Sequence, residues 1–324
     1  MKSALKQLGA VALTAAAVLA ASHAGAQTFP TKQVNLVVPY PAGGATDVIA
    51  RLVAEGASKA WGQPVIVNNK PGAGTVLAAD MVAKSPADGY TLYMTTAAHT
   101  ISDSLYKKLP YSPMKDFEPI TLTSVIPLVL VTSNNLPAKN LKELLAHLKA
   151  NPQTSFASTG NGTPQHLTGA LFMAKNNMEM MHVPYKGDAP MLNDLIGNHV
   201  GMAFITLSAA LPHIKAGKIR PIALAHSKRI DAIADVPTFT EAGMPGFEAA
   251  TWFGLLAPAG MPAALKQKIY QDVHKVVASP EITKQLVEMG GDVTNTTPER
   301  FKEFMQLEAK SWAEAVKLSG AQVQ

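Results

Sequence analysis

The feature that most restricts the fold is a regular alternation of short apolar runs and amphipathic runs. Residues 33–39, 65–68 and 90–94 have the pattern of strands, and residues 46–60 and 75–84 between them have the pattern of helices. The connections are short. This βαβαβ order predicts a parallel sheet with helices on both faces.

A second alternating series runs from residue 125 to residue 225, and the chain is predicted to be helical from residue 263 to its end. Its last helix should begin at Thr297-Pro298, because threonine caps helices and proline suits the first turn. A length of 324 residues, at roughly 150 residues per domain, fits two domains. The sequence therefore predicts two α/β units.

The first 26 residues have the pattern of a secretory signal peptide. A basic head with Lys2 and Lys6 precedes an apolar run at 8–21, and Ala24-Gly25-Ala26 follows as a small-residue cleavage site. The run is interrupted by Thr14 and is too short for a membrane anchor. We expect cleavage near Ala26, export to the bacterial periplasm and a soluble, monomeric mature chain.

Charge and cysteine content exclude several classes of function. Lys and Arg number 28 against 23 Asp and Glu, and the basic residues are dispersed rather than clustered. A nucleic-acid-binding surface needs a basic cluster, so no nucleic-acid partner is expected. The absence of cysteine excludes disulfides, thiolate nucleophiles and Cys-ligated metals.

Two glycine-rich loops each stand between a predicted strand and a predicted helix. The first loop is residues 40–47 (YPAGGATD), and the second loop is residues 158–163 (STGNGT). The first turn of a helix leaves amide groups unpaired, so such a loop favours an anion. An ordinary strand-to-helix turn is the alternative for the first loop. Residues 95–100 (TTAAHT) should lie at the same edge of the sheet.

Catalysis finds little support in the sequence. No G-x-S-x-G, phosphate-binding, dinucleotide-binding or H-E-x-x-H motif occurs, and the histidines lack metal-ligand spacing. We therefore expect no enzyme activity, no metal and no cofactor. A secreted hydrolase-like enzyme acting on a small organic acid stays as the alternative, since a serine, a histidine and an aspartate could still meet in space.

Seven motifs, in order along nearly the whole mature chain, resemble the periplasmic substrate-binding proteins of tripartite tricarboxylate transporters, the Bug receptors. They are YPAGGATD (40–47), NNKPGAGT (68–75), PADGYTLYM (86–94), STGNGTPQHL (158–167), VPYKGDAPMLNDLIGNHV (183–200), ALPHIKAGKIRPIALA (210–225) and DVPTFTEAGMPGFE (235–248). The resemblance implies a type II periplasmic binding protein with two α/β lobes and a ligand cleft between them. It also implies a small organic carboxylate as ligand and the transporter's membrane components as partners.

The resemblance further implies how the chain is divided. Residues 27–125 would form the first part of lobe 1, residues 126–250 would form lobe 2, and residues 251–324 would return to lobe 1. The crossings between lobes should fall near residues 124–127 and 250–254.

In this family, the ligand carboxylate is expected on the two loops. Relatives often carry Asp-Asn where this chain has Ile205 and Thr206, and a buried carboxylate is the natural partner of a ligand ammonium. Ile205 therefore favours a dicarboxylate, a tricarboxylate or an aromatic acid over an amino acid. Lys186 either adds positive potential near the cleft or is simply solvated. The predicted ligand contacts are Tyr40, Pro41, Ala42, Gly43, Gly44, Thr46, Asp47, Ala97, His99, Thr100, Ser158, Thr159, Gly162, Thr163, His166, Tyr185, Lys186, Ile205 and Thr206.

Overall fold

The computed structural model describes residues 29–319, so the predicted signal peptide lies outside the described residues. The strands are β1 (Val34–Val38), β2 (Val65–Asn69), β3 (Thr91–Thr96), β4 (Phe117–Ser133), β5 (Phe156–Ser158), β6 (His182–Pro184), β7 (Met202–Thr206), β8 (Ile219–Leu224), β9 (Ala250–Pro258) and β10 (Asp292–Val293). The helices are α1 (Ala45–Trp61), α2 (Val76–Ala83), α3 (Ala98–Leu105), α4 (Leu141–Ala150), α5 (Pro164–Lys175), α6 (Asp188–Ile196), α7 (Leu207–Lys215), α8 (Ala263–Val277), α9 (Pro280–Glu288) and α10 (Pro298–Ser319). Short 3₁₀ turns occur at Ala73–Thr75 and Asp231–Ile233.

The first sheet has the strand order β2-β1-β3-β9-β4, with β10 pairing β4. Strand β1 is parallel to β2 and β3, as the alternation predicts. Strand β9, which is not part of that alternation, is antiparallel to both β3 and β4. The reason is that β9 follows the second alternating series, and the chain re-enters the sheet in the opposite direction.

The second sheet uses the later part of β4. Strand β5 is parallel to β6 and β7, while β4 is antiparallel to β7 and β8. Within β4, Pro127 pairs with Ala250 of the first sheet, and Leu128 pairs with Thr206 of the second. One strand of 17 residues therefore belongs to both sheets. We call the first sheet with its helices lobe 1 and the second sheet with its helices lobe 2; the predicted boundaries at residues 125/126 and 250/251 stay predictions.

Local sequence signals account for several helix ends. The side chain of Asn140 accepts the N–H of Glu143 at 2.9 Å and caps α4, and Glu143 accepts the N–H of Lys139 in return. Helix α1 ends at Gly62, whose φ of +65° is left-handed. Helix α10 begins at Pro298, as predicted from the Thr-Pro pair.

Two elements differ from the sequence expectation. Residues 98–105 form α3, a helix that the sequence analysis does not assign, and β4 begins at Phe117 rather than at residue 125. The early half of β4 contains Pro119 and several threonines, which break the apolar pattern of a strand. These threonines are nevertheless fully buried, because Thr121 and Thr123 donate to backbone carbonyls of the Thr296 and Phe253 peptides.

The C-terminal helix α10 packs on α3 and β4 of lobe 1 and on α5 of lobe 2. Its Phe301 is fully buried against Gly254 of β9, and a Cβ built on Gly254 would overlap the Phe301 ring. Glu308 of the same helix accepts the indole N–H groups of Trp252 at 3.1 Å and Trp312 at 2.8 Å. This helix therefore fixes the strand that returns from lobe 2 to lobe 1.

We predict that Gly254→Ala lowers the free energy of unfolding by about 1–3 kcal/mol, because the added methyl overpacks the core against Phe301. Urea unfolding followed by circular dichroism measures it. The double variant Gly254→Ala/Phe301→Leu should lose less than the sum of the single variants, since leucine makes room for the methyl. Additive losses, or an unchanged Gly254→Ala stability, would contradict this packing.

Candidate functional site

A small cavity lies between the lobes, where strands of both sheets end. Open α/β folds bind ligands at the carboxyl edge of their strands. The first loop, the end of β3, the second loop and the end of β7 all contribute to it. The cavity is lined by Tyr40, Ala45, Thr46, Thr96, Thr159, Gln165, Asp188, Thr206, Thr251 and Phe253. Four predicted contacts, Tyr40, Thr46, Thr159 and Thr206, are therefore among its lining residues.

Two hydrogen bonds orient the polar wall of the cavity. The hydroxyls of Tyr40 and Thr96 share one at 3.0 Å, and the amide of Gln165 donates to the hydroxyl of Thr206 at 3.0 Å. Burial raises the pKa of Tyr40 well above its usual range, so its hydroxyl stays neutral. These four side chains form a fixed, uncharged surface.

Three buried oxygen atoms of the cavity have no hydrogen-bond partner among residues 29–319. They are Oγ1 of Thr159, Oγ1 of Thr251 and Oδ1 of Asp188. Buried polar atoms in folded proteins nearly always have a partner. These three atoms are therefore the groups that the described cavity can offer to a ligand.

The carboxylate of Asp47 fixes the first loop. It accepts the N–H of Gly43, the Nε–H of Arg51 and the side-chain amide of Asn69, each at 2.9 Å. Burial acts to raise its pKa, but the hydrogen bonds from Arg51, Gly43 and Asn69 lower it overall. Asp47 does not line the cavity, so we do not propose it as a ligand contact.

A second carboxylate reaches the first loop from lobe 2. The N–H of Ala45, at the start of α1, donates to Oδ2 of Asp188 at 3.0 Å. A Cβ built on Gly44 would lie 2.9 Å from the same oxygen. Burial raises the pKa of Asp188 to about 6. Asp188 was not among the predicted contacts; the signal for it was its position at the start of α6, directly after Gly187.

The other predicted residues of the first loop lie outside the cavity lining. Gly43 and Gly44 line a separate groove between α1 and α6, and Ala42 is exposed. Pro41 contacts the loop before α6, since a Cβ built on Gly187 would lie 2.9 Å from Pro41 Cδ. These residues shape the backbone around the cavity without lining it.

In the second loop, Thr159 lines the cavity and its neighbours support it. The hydroxyl of Ser158 lies 2.7 Å from Nε2 of His182 and 3.2 Å from the carbonyl of Gly160. A serine and a histidine at this distance resemble a nucleophile and its base. Ser158 is fully buried, so the pair holds the loop closed rather than facing a substrate.

His166 also supports the second loop from within. Its Nδ1 accepts the N–H of Gly162 at 3.3 Å, which puts the ring proton of the neutral form on Nε2. Its ring stacks on His182 with centroids 4.2 Å apart, and burial lowers the pKa of His166 to about 4. Thr163 caps α5 by accepting the N–H of His166. None of these side chains lines the cavity.

The three predicted contacts at residues 97–100 lie away from the cavity because α3 begins there. The Nε2–H of His99 donates to the carbonyl of Pro113 at 2.8 Å, and its ring packs edge-on against Phe117. Burial lowers the pKa of His99 to about 4. Thr100 turns its hydroxyl back to the carbonyl of Ala97. Thr96, just before them, is the residue that lines the cavity.

Ile205 and Thr206 end β7 and occupy different surroundings. Thr206 lines the cavity, whereas the side chain of Ile205 belongs to the hydrophobic core. Successive side chains of a strand face opposite sides of the sheet, which separates the two. The expected contact between Ile205 and the carbon skeleton of a ligand is therefore not part of this cavity.

Tyr185 and Lys186 line a separate groove next to the cavity, together with Tyr40 and Thr159. The hydroxyl of Tyr185 donates to the carboxylate of Asp194 at 2.6 Å. Lys186 forms no ion pair within 4.0 Å among the described residues. Both residues adjoin the cavity without entering its lining.

Within residues 29–319, no cluster of three or more histidine, aspartate or glutamate side chains is arranged to hold a metal ion. In the same part of the chain, no helix combines the length and apolar character needed to span a membrane.

We predict that Asp188→Asn changes how stability depends on pH. The pKa of Asp188 is raised from 3.8 to about 6, so folding favours the protonated form, and the associated stability is lost as pH rises through 6. Without ligand, the wild-type unfolding free energy should fall relative to that of the variant by up to about 3 kcal/mol between pH 4 and pH 7.

Denaturant unfolding of both proteins across this pH range measures the difference between their unfolding free energies. The contributions of titratable groups that both proteins share cancel in this difference. Asparagine keeps an oxygen that can accept the Ala45 N–H, so the comparison isolates the charge. Parallel pH profiles would show that Asp188 is not desolvated in the folded protein.

Comparison with known proteins bears out the resemblance in the motifs. The family model for the tripartite tricarboxylate transporter family receptor matches residues 49–320. Protein BugT of Bordetella pertussis is 34% identical over 306 residues, which cover 94% of each chain. The solved structure of the periplasmic binding protein BugD has a TM-score of 0.88 and 33% identity, covering 91% of this chain and 100% of that one.

A third match is the structure of R. palustris Rpa4515 with adipate, with a TM-score of 0.88 and 34% identity over 91% of this chain and all of that one. These structures confirm the predicted two-lobed α/β fold of periplasmic binding proteins. The family match covers most of the sequence and includes α5 and the greater part of α1. The chain therefore belongs to the receptor family of tripartite tricarboxylate transporters, the Bug receptors, which are periplasmic solute-binding proteins.

Proposed function

We propose that this protein binds a small organic carboxylate between its lobes and delivers it to the membrane components of a tripartite tricarboxylate transporter. The observation that carries the proposal is the interlobe cavity with its buried, unpartnered hydroxyls of Thr159 and Thr251. A carboxylate accepts hydrogen bonds only, and hydroxyls can donate them. The related protein Rpa4515 has adipate, a dicarboxylate, in its solved structure.

A backbone amide adds to this donor set. Thr46 stands in the first turn of α1, where amide groups lack partners within the helix. The helix dipole also favours negative charge at this end. A dicarboxylate, a tricarboxylate or an aromatic acid would use this amide and the two hydroxyls together.

Binding is expected to close the lobes. Thr159 belongs to lobe 2, and Thr46 and Thr251 belong to lobe 1, so each lobe supplies only part of the donor set. A ligand that contacts both lobes stabilises the closed form over the open one. The two chain crossings near residues 124–127 and 250–254 would act as the hinge.

The proposal includes export of the monomer after cleavage near Ala26, and it excludes catalysis. A receptor returns its acid unchanged.

The melting temperature of the purified protein should rise with at least one acid of a carboxylate panel, and that acid should be recovered intact after hours of incubation. Chemical conversion of the acid would favour the secreted enzyme instead.

We predict that Thr159→Val weakens carboxylate binding roughly ten- to a hundredfold. Valine has the same shape but removes the hydroxyl, and a hydrogen bond to a charged group is worth about 1.5–3 kcal/mol. The stability of the ligand-free protein should not fall, because this hydroxyl has no hydrogen-bond partner among the described residues. Calorimetry with the best acid of the panel measures the affinity.

Thr168→Val is the matched control. Thr168 also has a buried hydroxyl without a partner, but it lies on α5 and lines the groove beside Trp252 and Trp312 instead of the cavity. This variant should bind the acid like wild type. Equal affinities for wild type and Thr159→Val would place the ligand elsewhere.

A further inference from the structure

Asp188 supplies the only carboxylate among the ten residues that line the interlobe cavity. Asp188 is buried, with a relative exposure of 9% for the whole residue. One oxygen accepts the Ala45 N–H from across the cleft, and the other, Oδ1, has no hydrogen-bond partner in the part of the chain that the structure describes. The cavity thus contains a buried acceptor as well as the hydroxyl donors described above.

The surroundings of Asp188 provide no compensating charge. Among the described residues, no lysine, arginine or histidine forms an ion pair with it within 4.0 Å. The groups that share its cavity from the other elements are neutral: they are the side chains of Tyr40, Thr46, Thr96, Thr159, Gln165, Thr206 and Thr251. The nearest cation along the chain is Lys186, which lines the adjoining groove.

Two glycines hold this carboxylate in place. Gly187 has φ of +134°, which side chains rarely tolerate, and it packs against Pro41. Gly44 has no Cβ that would crowd Oδ2. The backbone on both sides of the cleft therefore fixes Asp188, and its free oxygen has a defined position for a ligand group.

A buried carboxylate oxygen without a donor is costly, and a second negative group beside it adds repulsion. A hydroxyl on the ligand would supply the missing hydrogen bond. An ammonium would supply it and also neutralise the charge. A plain carboxylate with only hydrogens on its carbon skeleton would do neither.

We infer that Asp188 determines specificity by accepting a hydrogen bond from a hydroxyl or ammonium group of the ligand. The inference rests on the proposed function and narrows it: the ligand is a small carboxylic acid that also carries a hydrogen-bond donor. The preference for a plain acid that Ile205 suggested does not apply, because Ile205 lies in the core and Asp188 supplies a carboxylate to the cleft.

Matched acids test this directly on the wild-type protein. Each series differs only in hydrogen, hydroxyl or ammonium at one carbon: succinate, malate and aspartate; propionate, lactate and alanine; and phenylpropionate, phenyllactate and phenylalanine. In the series that fits the cavity, calorimetry should give at least tenfold tighter binding for a member with the donor. The affinities of the hydroxyl and ammonium members of that series then show which of the two donors is preferred.

Asp188→Asn tests the residue. It should weaken the preferred member at least tenfold and leave the plain acid unchanged or tighter, so that the preference is lost. Asp231→Asn, an exposed carboxylate of lobe 2, is the control and should leave every affinity unchanged. If Asp188→Asn does not fold, Asp188→Ser provides the same comparison, and the wild-type series stands without either variant.

Two results separate the inference from the proposed function. Plain acids that bind as tightly as their substituted partners, or an equal loss for all members in Asp188→Asn, would overturn the inference while the receptor function stands. Absence of binding for every acid of the three series and of the carboxylate panel would overturn both.

Discussion

The structure depends on one strand that belongs to two sheets. Strand β4 runs without interruption through both lobes. Pro127 is its last residue that pairs in the sheet of lobe 1, and Leu128 is its first residue that pairs in the sheet of lobe 2. The returning chain at Ala250 pairs beside it, so the lobes are joined by two adjacent connections. The carboxyl ends of the parallel strands of both sheets therefore face the same cleft, and loops at these ends form one site.

Within that cleft, the bond between Ala45 and Asp188 connects the two lobes directly. The same first-turn amide could hold either a ligand oxygen or this side chain. Asp188 accepts this amide N–H with Oδ2 and leaves Oδ1 for a ligand group, so one of the negative oxygens that the loop favours comes from the protein itself. A glycine-rich loop that predicts an anion site therefore need not predict a ligand that carries negative groups alone.

The sequence predicts the architecture well because strand and helix periods are local. It also predicts Tyr40, Thr46, Thr159 and Thr206 as ligand contacts, and these four line the interlobe cavity because each lies at or after the end of a recognisable strand. Other predicted contacts lie outside the cavity for reasons that are not local. His99, His166 and Ser158 carry polar groups at suitable positions, but each contacts a neighbour that only the tertiary structure brings close: His99 hydrogen-bonds to Pro113, His166 stacks on His182, and Ser158 hydrogen-bonds to His182.

Asp188 is the opposite case, because it lines the cavity but was not among the contacts predicted from the sequence. In sequence, an acidic residue in the first turn of α6 indicates ordinary stabilisation of that helix end. Ala45 lies 143 residues away in the sequence, so the sequence alone does not indicate its hydrogen bond to Asp188. The close approaches at Gly44 and Gly187 likewise exist only where the two lobes pack together. Asp188 therefore reaches the cleft only because the two lobes pack together, and the ligand preference that we infer depends on this single side chain of lobe 2 beside the first loop of lobe 1.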